Sequence, residues 1–209
     1  MKKIKILLIA IAVLFIIPTP VYMAKITQNY AKIVMLTDPG KGGGTGFHIV
    51  VPSGKTFILT NAHVCRNAKS MVVGYDKKRW VREVVEVSNK YDLCLLNPTF
   101  DDGVSMMANP TSFLPHMAAG YGALSPLTIS VGTYVESIYT DLCLDAQLFR
   151  CLKWVNWLLD GYSFVIVGGH SGSPVINIFG QLTGVVNASN GMHAFAVPIE
   201  HVRDFIKNR

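Results

Sequence analysis

Charged residues are scarce in this chain. They make up 15% of its 209 residues, whereas hydrophobic residues make up 50%. A disordered tail needs the opposite balance, because it cannot bury enough apolar surface to fold. Glycine and proline are scattered rather than clustered, and no repeat of solenoid length occurs. The composition therefore predicts one globular domain, or a compact pair of subdomains, with a sizeable core.

The sequence also lacks any run of basic residues with interleaved aromatic residues. The 19 Lys and Arg residues outnumber the 13 Asp and Glu residues, which gives a net charge of +6. Three of the cations, Lys2, Lys3 and Lys5, lie at the N-terminus, and without them the excess is 16 − 13 = +3. We therefore expect no nucleic-acid partner.

No CxxC pair is present, so metal binding by cysteine is not expected. Cys143 and Cys151 flank a plausible turn and could form one disulfide, and Cys65 and Cys94 could form a second. Four cysteines allow three pairings, and free buried thiols are an equally open alternative. Four histidines show no ligand spacing and are interpreted as structural, so we expect no metal and no organic cofactor: His48, His116, His193 and His201.

The N-terminal lysines precede an uninterrupted apolar run from Ile6 to Ile17. This pattern is typical of an export signal. The run is too short to cross a membrane as a helix, but the longer segment 6–24 could span about 30 Å. Three interpretations of residues 1–24 remain open. The segment is a cleaved signal peptide, an uncleaved signal-anchor or a helix buried in the core. Either export route places the rest of the chain in the periplasm, on the cell surface or in the medium.

Many short β-rich runs follow, and turn residues separate them. One set precedes a loop-like stretch at 97–116 and a second set follows it; the runs are 31–36, 46–51, 56–60, 70–74, 80–87, 92–96, 127–138, 163–167, 174–178, 181–187 and 193–198. Such spacing predicts an all-β sandwich or barrel in each half. Only 199–207 has helical spacing, with Ile199, Val202, Phe205 and Ile206 on one face. The apolar patch at 148–159 could be a hairpin under the second half or an exposed loop.

Three polar residues in apolar or glycine-rich surroundings suggest acyl-transfer chemistry. His63 ends the run ILTNAHVC, Asp92 opens YDLCLL, and Ser171 lies between glycines in VGGHSGSPV. A serine hydroxyl needs a base and an orienting carboxylate to become a nucleophile. Glycines beside it let backbone N–H groups approach a developing oxyanion. Each residue alone has an ordinary structural interpretation, but the order His, Asp, Ser indicates a triad.

These segments resemble the trypsin-like serine proteases of chymotrypsin fold, and in particular the short HtrA-like type without a PDZ domain. TNAHVC, YDLCLL and GHSGSP are similar to the family's T-A-A-H-C, D-I-A-L-L and G-N/D-S-G-G-P segments. GQLTGVVNAS and HAFAVPIEHVRDFI resemble the strands and closing helix that follow the nucleophile. The resemblance covers about residues 31–207. It implies two packed antiparallel β-barrels within 25–209, at about 30–112 and 113–200, and a helix at about 199–207.

The resemblance also implies site residues. His63 is the base, Asp92 its orienting carboxylate and Ser171 the nucleophile. Backbone N–H groups of Gly169 and Ser171 form the oxyanion hole, with the His170 amide between them. Three residues form an edge on which a polypeptide substrate pairs as an added strand: Asn187, Ala188 and Ser189.

Three positions decide finer properties. Val165 occupies the base of the family's specificity pocket, where a preference for Arg or Lys needs a carboxylate, so we expect a small or medium apolar P1 residue. His170 stands where zymogen-type relatives have an Asp, which predicts activity without N-terminal cleavage. Ser173 replaces a family glycine, and would cost about 1 kcal/mol if its φ is positive.

The predicted function is a serine-type endopeptidase that works through an acyl-enzyme. Two alternatives remain, a catalytically inactive peptide-binding module on the same fold and an esterase that uses the same triad. The oligomeric state is open. A membrane contact is expected only if residues 6–24 are retained.

Overall fold

The computed structural model describes residues 31–38, 42–66, 68–122, 126–147 and 150–209. For residues 140–147 and 150–156 it describes the backbone and not the side chains. The predicted export segment 1–24 and the proposed Cys143–Cys151 side-chain pair lie outside the described residues. Over the ranges given, no helix is both long and apolar enough to cross a bilayer.

The first half of the chain forms a closed antiparallel barrel. Its strands are β1 (Val34–Asp38), β2 (Gly42–Val50), β3 (Thr56–Thr60), β4 (Ser70–Tyr75), β5 (Lys78–Ser88) and β6 (Leu93–Leu96). They pair in the order β1-β2-β3-β6-β5-β4. Exposed and partly buried residues alternate along β5, because side chains of a strand point to opposite faces of the sheet. A single helical turn, α1 (Ala62–Cys65), follows β3.

The second half repeats the architecture. Its strands are β7 (Pro115–Gly120), β8 (Thr128–Gln147), β9 (Arg150–Tyr162), β10 (Pro174–Asn177), β11 (Leu182–Ser189) and β12 (Ala194–Pro198), in the order β10-β11-β12-β9-β8-β7. Helix α2 (Ile199–Ile206) closes the chain. The predicted all-β fold of two barrels with a C-terminal helix is therefore confirmed, and α2 buries the four apolar residues that define its predicted face.

Two details of the predicted strands are wrong. Residues 163–167 are not a strand, because they leave the barrel after β9 and lead into the loop of Ser171. Strand β7 is not predicted: it begins at the end of the expected loop at 97–116 and continues through 117–120, for which no element is predicted, since the segment PHMAAG has little β propensity. It pairs with β8 on one side and β10 on the other, so tertiary pairing decides its conformation. Of the apolar patch at 148–159, residues 150–159 belong to β9, which pairs with β8 from Tyr134↔Tyr162 to Gln147↔Arg150, and residues 148–149 lie outside the described residues.

One apolar cluster runs through both barrels and fixes their relation. It contains fully buried residues of the first barrel, such as Leu59 and Leu95, together with Leu182 and Val185 of the second. Ile199 of α2 belongs to the same cluster. Burial of this much apolar surface is the main force that holds the two halves together.

Candidate active site

His63 and Asp92 are joined directly in the first barrel. The His63 ring nitrogen Nδ1 lies 2.7 Å from Asp92 Oδ2, and the His63 backbone N–H donates to Asp92 Oδ1 at 2.9 Å. A carboxylate acceptor at Nδ1 places the ring proton there and leaves Nε2 unprotonated in the neutral ring. Asp92 is buried and has φ 51°, a left-handed conformation that is uncommon outside glycine. Its backbone carbonyl accepts a hydrogen bond from Asn61 Nδ2 at 3.1 Å.

A β-bulge brings Asn187 to the same carboxylate. The pairing of β11 with β12 shifts register between Val186 and Ala188, which leaves Asn187 out of the ladder. Bulges near functional sites turn a side chain in a new direction. Here the buried Asn187 amide donates from Nδ2 to Asp92 Oδ2 at 2.6 Å, across the two barrels. Asp92 therefore receives hydrogen bonds from both halves of the protein.

Ser171 lies in the loop before β10 and reaches the same place from the second barrel. Its hydroxyl donates to the backbone carbonyl of Asn187 at 3.1 Å. His63 and Ser171 line one cleft of about 190 Å³, together with Gly42, Gly43 and Arg66. The structure thus places the three predicted catalytic residues at one site, with the Ser171 hydroxyl engaged by Asn187.

Strand β2 and the Ser171 loop meet through backbone contacts that require small residues. The Thr45 N–H donates to the Ser171 carbonyl at 2.9 Å. A Cβ added at Gly44 would lie 2.9 Å from that carbonyl oxygen. Gly172 has φ 86°, and a Cβ there would lie 2.0 Å from the Thr45 carbonyl oxygen. Only glycine satisfies both demands at that position.

The loop before Ser171 offers two backbone N–H groups. The Gly169 carbonyl accepts a hydrogen bond from Thr45 Oγ1 at 2.8 Å, which fixes this part of the loop. The His170 N–H donates to the Val167 carbonyl at 3.2 Å, so it is engaged in the turn. Within the described ranges, the N–H groups of Gly169 and Ser171 donate to no protein acceptor.

His170 is buried beneath the loop as a neutral ring. Its Nδ1 lies 3.1 Å from the Val167 carbonyl and therefore carries the proton, while Nε2 lies 2.9 Å from Thr128 Oγ1, a hydroxyl that also donates to the Gly120 carbonyl at 3.2 Å. Burial lowers the pKa of His170, because the charged ring would lose its hydration. The side chain is thus anchored by polar contacts with two neutral partners.

Of the predicted substrate edge, Asn187 is buried and Ser189 reaches the surface, as does the predicted pocket base Val165. Beyond Val185, the side of β11 opposite β12 has no strand partner in the part of the chain that the structure describes. Ser189 is exposed, and its hydroxyl donates to the His193 carbonyl at 2.9 Å. The Val165 side chain is 54% exposed, so it presents apolar surface to solvent and does not close an enclosed pocket.

The structure gives the backbone conformation of Ser173 and the pairing of two of the cysteines. Ser173 does not have a positive φ, because Gly172 takes that conformation, so the expected backbone cost is absent. Cys65, two residues after His63, forms a disulfide with Cys94, two residues after Asp92. Both cysteines are fully buried. Across the described residues, no three His, Cys, Asp or Glu side chains are arranged to hold a metal ion.

The sequence matches the family described as "Trypsin-like peptidase domain" over residues 44–185. The chain belongs to this family. It is 24% identical over 176 residues to the "Serine protease HTRA1" of Xenopus laevis, an alignment that covers 78% of this chain and 35% of that protein. The chain thus corresponds to about a third of the length of that relative.

Solved structures show the same fold. The active form of the Rv3671c protease of M. tuberculosis superposes with a TM-score of 0.69 at 20% identity, over 87% of this chain and 81% of the other. The serine endoprotease of Yersinia pestis gives a TM-score of 0.63 at 18% identity, over 90% of this chain and 65% of that chain. The family resemblance predicted from the motifs is confirmed.

Sequence reasoning missed two contributors to the site. Asn187 was assigned to the substrate edge, whereas its side chain contacts Asp92. Thr45 was not singled out, although it holds both Gly169 and the Ser171 carbonyl. Neither role has a signal in the sequence, because one depends on a bulge and the other on the docking of two barrels.

Proposed function

We propose that this chain is a serine-type endopeptidase with His63, Asp92 and Ser171 as its catalytic residues. The observation that carries the proposal is the Asp92 carboxylate, which bonds His63 in its own barrel and Asn187 of the barrel that supplies Ser171. This arrangement has the form of a nucleophile, a base and an orienting group. Membership of the peptidase family supports the same reaction.

The proposed reaction begins when the Ser171 hydroxyl turns from the Asn187 carbonyl toward His63. Hydrogen bonds of catalytic groups are often incomplete without substrate and form fully in the complex. Nε2 of His63 takes the hydroxyl proton as Oγ attacks the peptide carbonyl. Asp92 holds the ring and stabilises the imidazolium. His63 then protonates the leaving amine, and water repeats the steps on the acyl-enzyme.

The oxyanion would be held by the open N–H groups of Gly169 and Ser171. Donors fixed in place before the reaction stabilise developing charge without the cost of reorganisation. Thr45 provides that rigidity, since it bonds the carbonyl of Gly169 and that of Ser171. The His170 amide does not join this pair, because Val167 already accepts its hydrogen bond.

Substrate would pair with the free side of β11 at residues 187–189 and place its P1 side chain near Val165. Addition of a strand to an open edge uses main-chain hydrogen bonds that do not depend on sequence. The exposed valine offers apolar contact and no carboxylate for a cation. We expect kcat/KM for Ala, Val or Leu at P1 to exceed that for Arg or Lys by about tenfold or more, measured with matched peptides. A preference for Arg would contradict this assignment.

The neutral, buried His170 supports activity without N-terminal processing. A new N-terminal ammonium group would need a carboxylate partner in this place, and a neutral ring held by two neutral partners provides none. The full chain should therefore cleave peptides as synthesised. Export to the outside of the cytoplasm, with or without an anchor, is proposed on the N-terminal sequence pattern alone.

The proposal is tested by cleavage assays on the purified chain and its Ser171→Ala variant. Casein, apolar peptides and p-nitrophenyl esters are assayed in parallel. An endopeptidase cleaves casein internally and loses this activity in the variant. Ester hydrolysis alone would indicate the esterase alternative, and retention of peptide without cleavage would indicate a binding module.

A further inference from the structure

A second cavity lies beside the β4–β5 hairpin and shares no lining residue with the cleft of His63 and Ser171. Its volume is about 380 Å³. The exposed cations Lys77, Lys78 and Arg79 lie on one side, and Met35, Tyr75 and Tyr121 provide apolar and aromatic walls. We call this space the hairpin cavity. It combines positive charge with apolar surface, as a site for an anionic ligand with a carbon skeleton requires.

The three cations of the hairpin cavity are unpaired. Some basic side chains elsewhere in the described ranges have acidic partners, namely Lys32 with Asp102, Lys207 with Asp204 and Arg209 with Glu86, whereas others, such as Lys55 and Lys69, have none. Lys77, Lys78 and Arg79 form no ion pair within those same ranges. Asp76 is the only carboxylate among the lining residues. The positive charges of Lys77, Lys78 and Arg79 repel one another, and a bound anion would relieve this repulsion.

The hairpin turn places one of these cations at a backbone position that favours glycine. Asp76 has φ 43° and Lys77 has φ 65°, and they connect the paired residues Tyr75 and Lys78. Two-residue turns of this kind prefer Asn-Gly or Asp-Gly, because both central residues are left-handed. At this left-handed position a lysine makes the folded protein less stable than a glycine would. Strain of this sort is concentrated where a side chain has a function.

Hydrogen bonds also link the wall of the hairpin cavity to the loop before Ser171. The backbone N–H of Tyr121, whose residue lines the cavity, donates to Thr45 Oγ1 at 2.9 Å. Thr45 Oγ1 in turn donates to the Gly169 carbonyl at 2.8 Å. Two hydrogen bonds therefore separate the cavity wall from the proposed site of peptide hydrolysis. A polypeptide that is being cleaved has further segments that can reach such a neighbouring cavity.

We propose that the hairpin cavity is a second substrate-binding site, which holds an acidic segment of the polypeptide through Lys77, Lys78 and Arg79. This identification of the ligand rests on the proposed endopeptidase function. Carboxylate side chains would pair with the three cations, and their methylene groups would pack on Tyr75 and Tyr121. Binding there would raise the local concentration of the scissile segment at the cleft and so lower KM for acidic substrates.

Binding is tested on the full chain that carries Ser171→Ala, so that no cleavage is needed. A fluorescein-labelled polyglutamate peptide and a Gly-Ser peptide of equal length are titrated by fluorescence anisotropy. We expect the acidic peptide alone to bind, more weakly as salt concentration rises. Lys77→Glu/Lys78→Glu should weaken binding by about tenfold or more. The matched variant Lys55→Glu/Lys69→Glu makes the same charge change at exposed lysines outside the cavity and should bind nearly as the parent does.

Lys77→Gly separates charge from folding. Glycine suits the left-handed position, so this variant should keep or raise the thermal midpoint while it binds polyglutamate less tightly. The proposal would be overturned if the Lys77/Lys78 and Lys55/Lys69 variants lost polyglutamate affinity to the same extent. It would also be overturned if the parent chain bound no polyglutamate. Loss of binding to phosphatidylserine vesicles without any effect on peptide would assign the surface to lipid instead.

In the active chain, the Lys77→Glu/Lys78→Glu variant should raise KM for a peptide that carries an acidic extension and leave kcat unchanged. The same peptide without the extension should be cleaved as by the parent. Equal KM values for both peptides would contradict the proposal. Binding of polyglutamate by a chain that proves catalytically silent would leave this site in place and refute only the proposed endopeptidase function.

Discussion

At the scale of single residues, Asn187 connects the three proposed catalytic groups. Its side chain donates to Asp92, and its backbone carbonyl accepts from Ser171. The amide is buried, so its hydrogen bond to the carboxylate is not weakened by competing water. Asn187 touches no reacting atom, and we regard it as a positioning residue that orients Asp92 and thereby His63.

A pair of substitutions at Asn187 tests this role. Asn187→Asp keeps the shape but sets a second carboxyl beside Asp92, where two negative charges repel, so kcat should fall by about 100-fold or more. Asn187→Ser retains a hydrogen-bond donor and should stay within about tenfold of the parent. Both are measured as kcat and KM on one peptide, over a range of pH.

The outcome that contradicts the role is equal activity of the two variants. A purely structural role would also move KM and thermal stability together, whereas positioning of Asp92 affects kcat and the pH profile. Circular dichroism at the assay temperature serves as the control for folding.

At the scale of elements, the disulfide ties the two segments that carry the dyad. Cys65 ends α1 just after His63, and Cys94 lies in β6 just after Asp92. The bridge therefore limits relative movement of the helical turn and the strand. It closes a loop between residues 29 apart in sequence.

Removal of this bridge should destabilise the protein markedly. For a loop of this length, the chain-entropy description predicts about 3 to 4 kcal/mol. Cys65→Ala/Cys94→Ala should therefore lower the free energy of unfolding by that order, measured by urea titration, and reduce kcat as the dyad loosens. An unchanged unfolding midpoint would show that packing around α1 and β6 holds the segments without the disulfide.

The element boundaries show which features local sequence can predict. Turn residues and short runs of apolar, β-branched or aromatic residues identify β3, β5 and β12 well, because these strands satisfy local propensity and burial together. Strand β7 has alanine, glycine and proline and is a strand only because β8 and β10 pair with it. Residues 163–167 are apolar enough for a strand, but they bury Phe164 and Ile166 without a ladder. The bulge at Asn187 depends on pairing with β12 and leaves no local pattern.

At the scale of the whole molecule, buried titratable groups couple stability to pH. His48 is buried between the Lys32 carbonyl and Thr99, and loss of hydration lowers its pKa from 6.5 to about 4. Burial raises the pKa of Asp160 from 3.8 to about 6. Burial also lowers the pKa of His116, His170 and His201.

These shifts act in opposite directions as pH falls. Between pH 6.5 and about 4, the unfolded chain binds a proton that folded His48 does not, so stability is lost. Between about pH 6 and 3.8, folded Asp160 holds a proton that the unfolded chain lacks, so stability is gained. At pH 5 the loss from His48 is roughly 2 kcal/mol and the gain from Asp160 roughly 1 kcal/mol. The other three histidines add to the loss.

We therefore expect the free energy of unfolding to be lower at pH 5 than at pH 7.5 by about 1 kcal/mol or more. Asp160→Asn removes the opposing gain, so its loss over the same interval should be larger by about 1 kcal/mol. Urea titrations of both proteins at the two pH values provide the measurement. Greater stability of the parent at pH 5 would contradict the assignment of neutral, buried histidines.

The sequence allowed the residues of the proposed site to be chosen, but not the hydrogen bonds that join them across the two barrels. His63, Asp92 and Ser171 lie in motifs whose residue types suit acyl transfer, so they could be chosen from sequence. The contacts of Asn187 with Asp92 and of Thr45 with Gly169 join residues from different barrels, 95 and 124 positions apart. Such contacts follow from how two closed barrels dock, which no local pattern determines.

The most direct test of the proposed triad is covalent labelling with a fluorophosphonate, followed by peptide mapping. Such reagents lose fluoride as they phosphonylate an activated serine, and they do not react with an ordinary hydroxyl. The account predicts one adduct, on Ser171, which is absent in Ser171→Ala and forms at least about 100-fold more slowly in His63→Ala. An adduct on another serine, or a rate on Ser171 that does not change when His63 is removed, would contradict it.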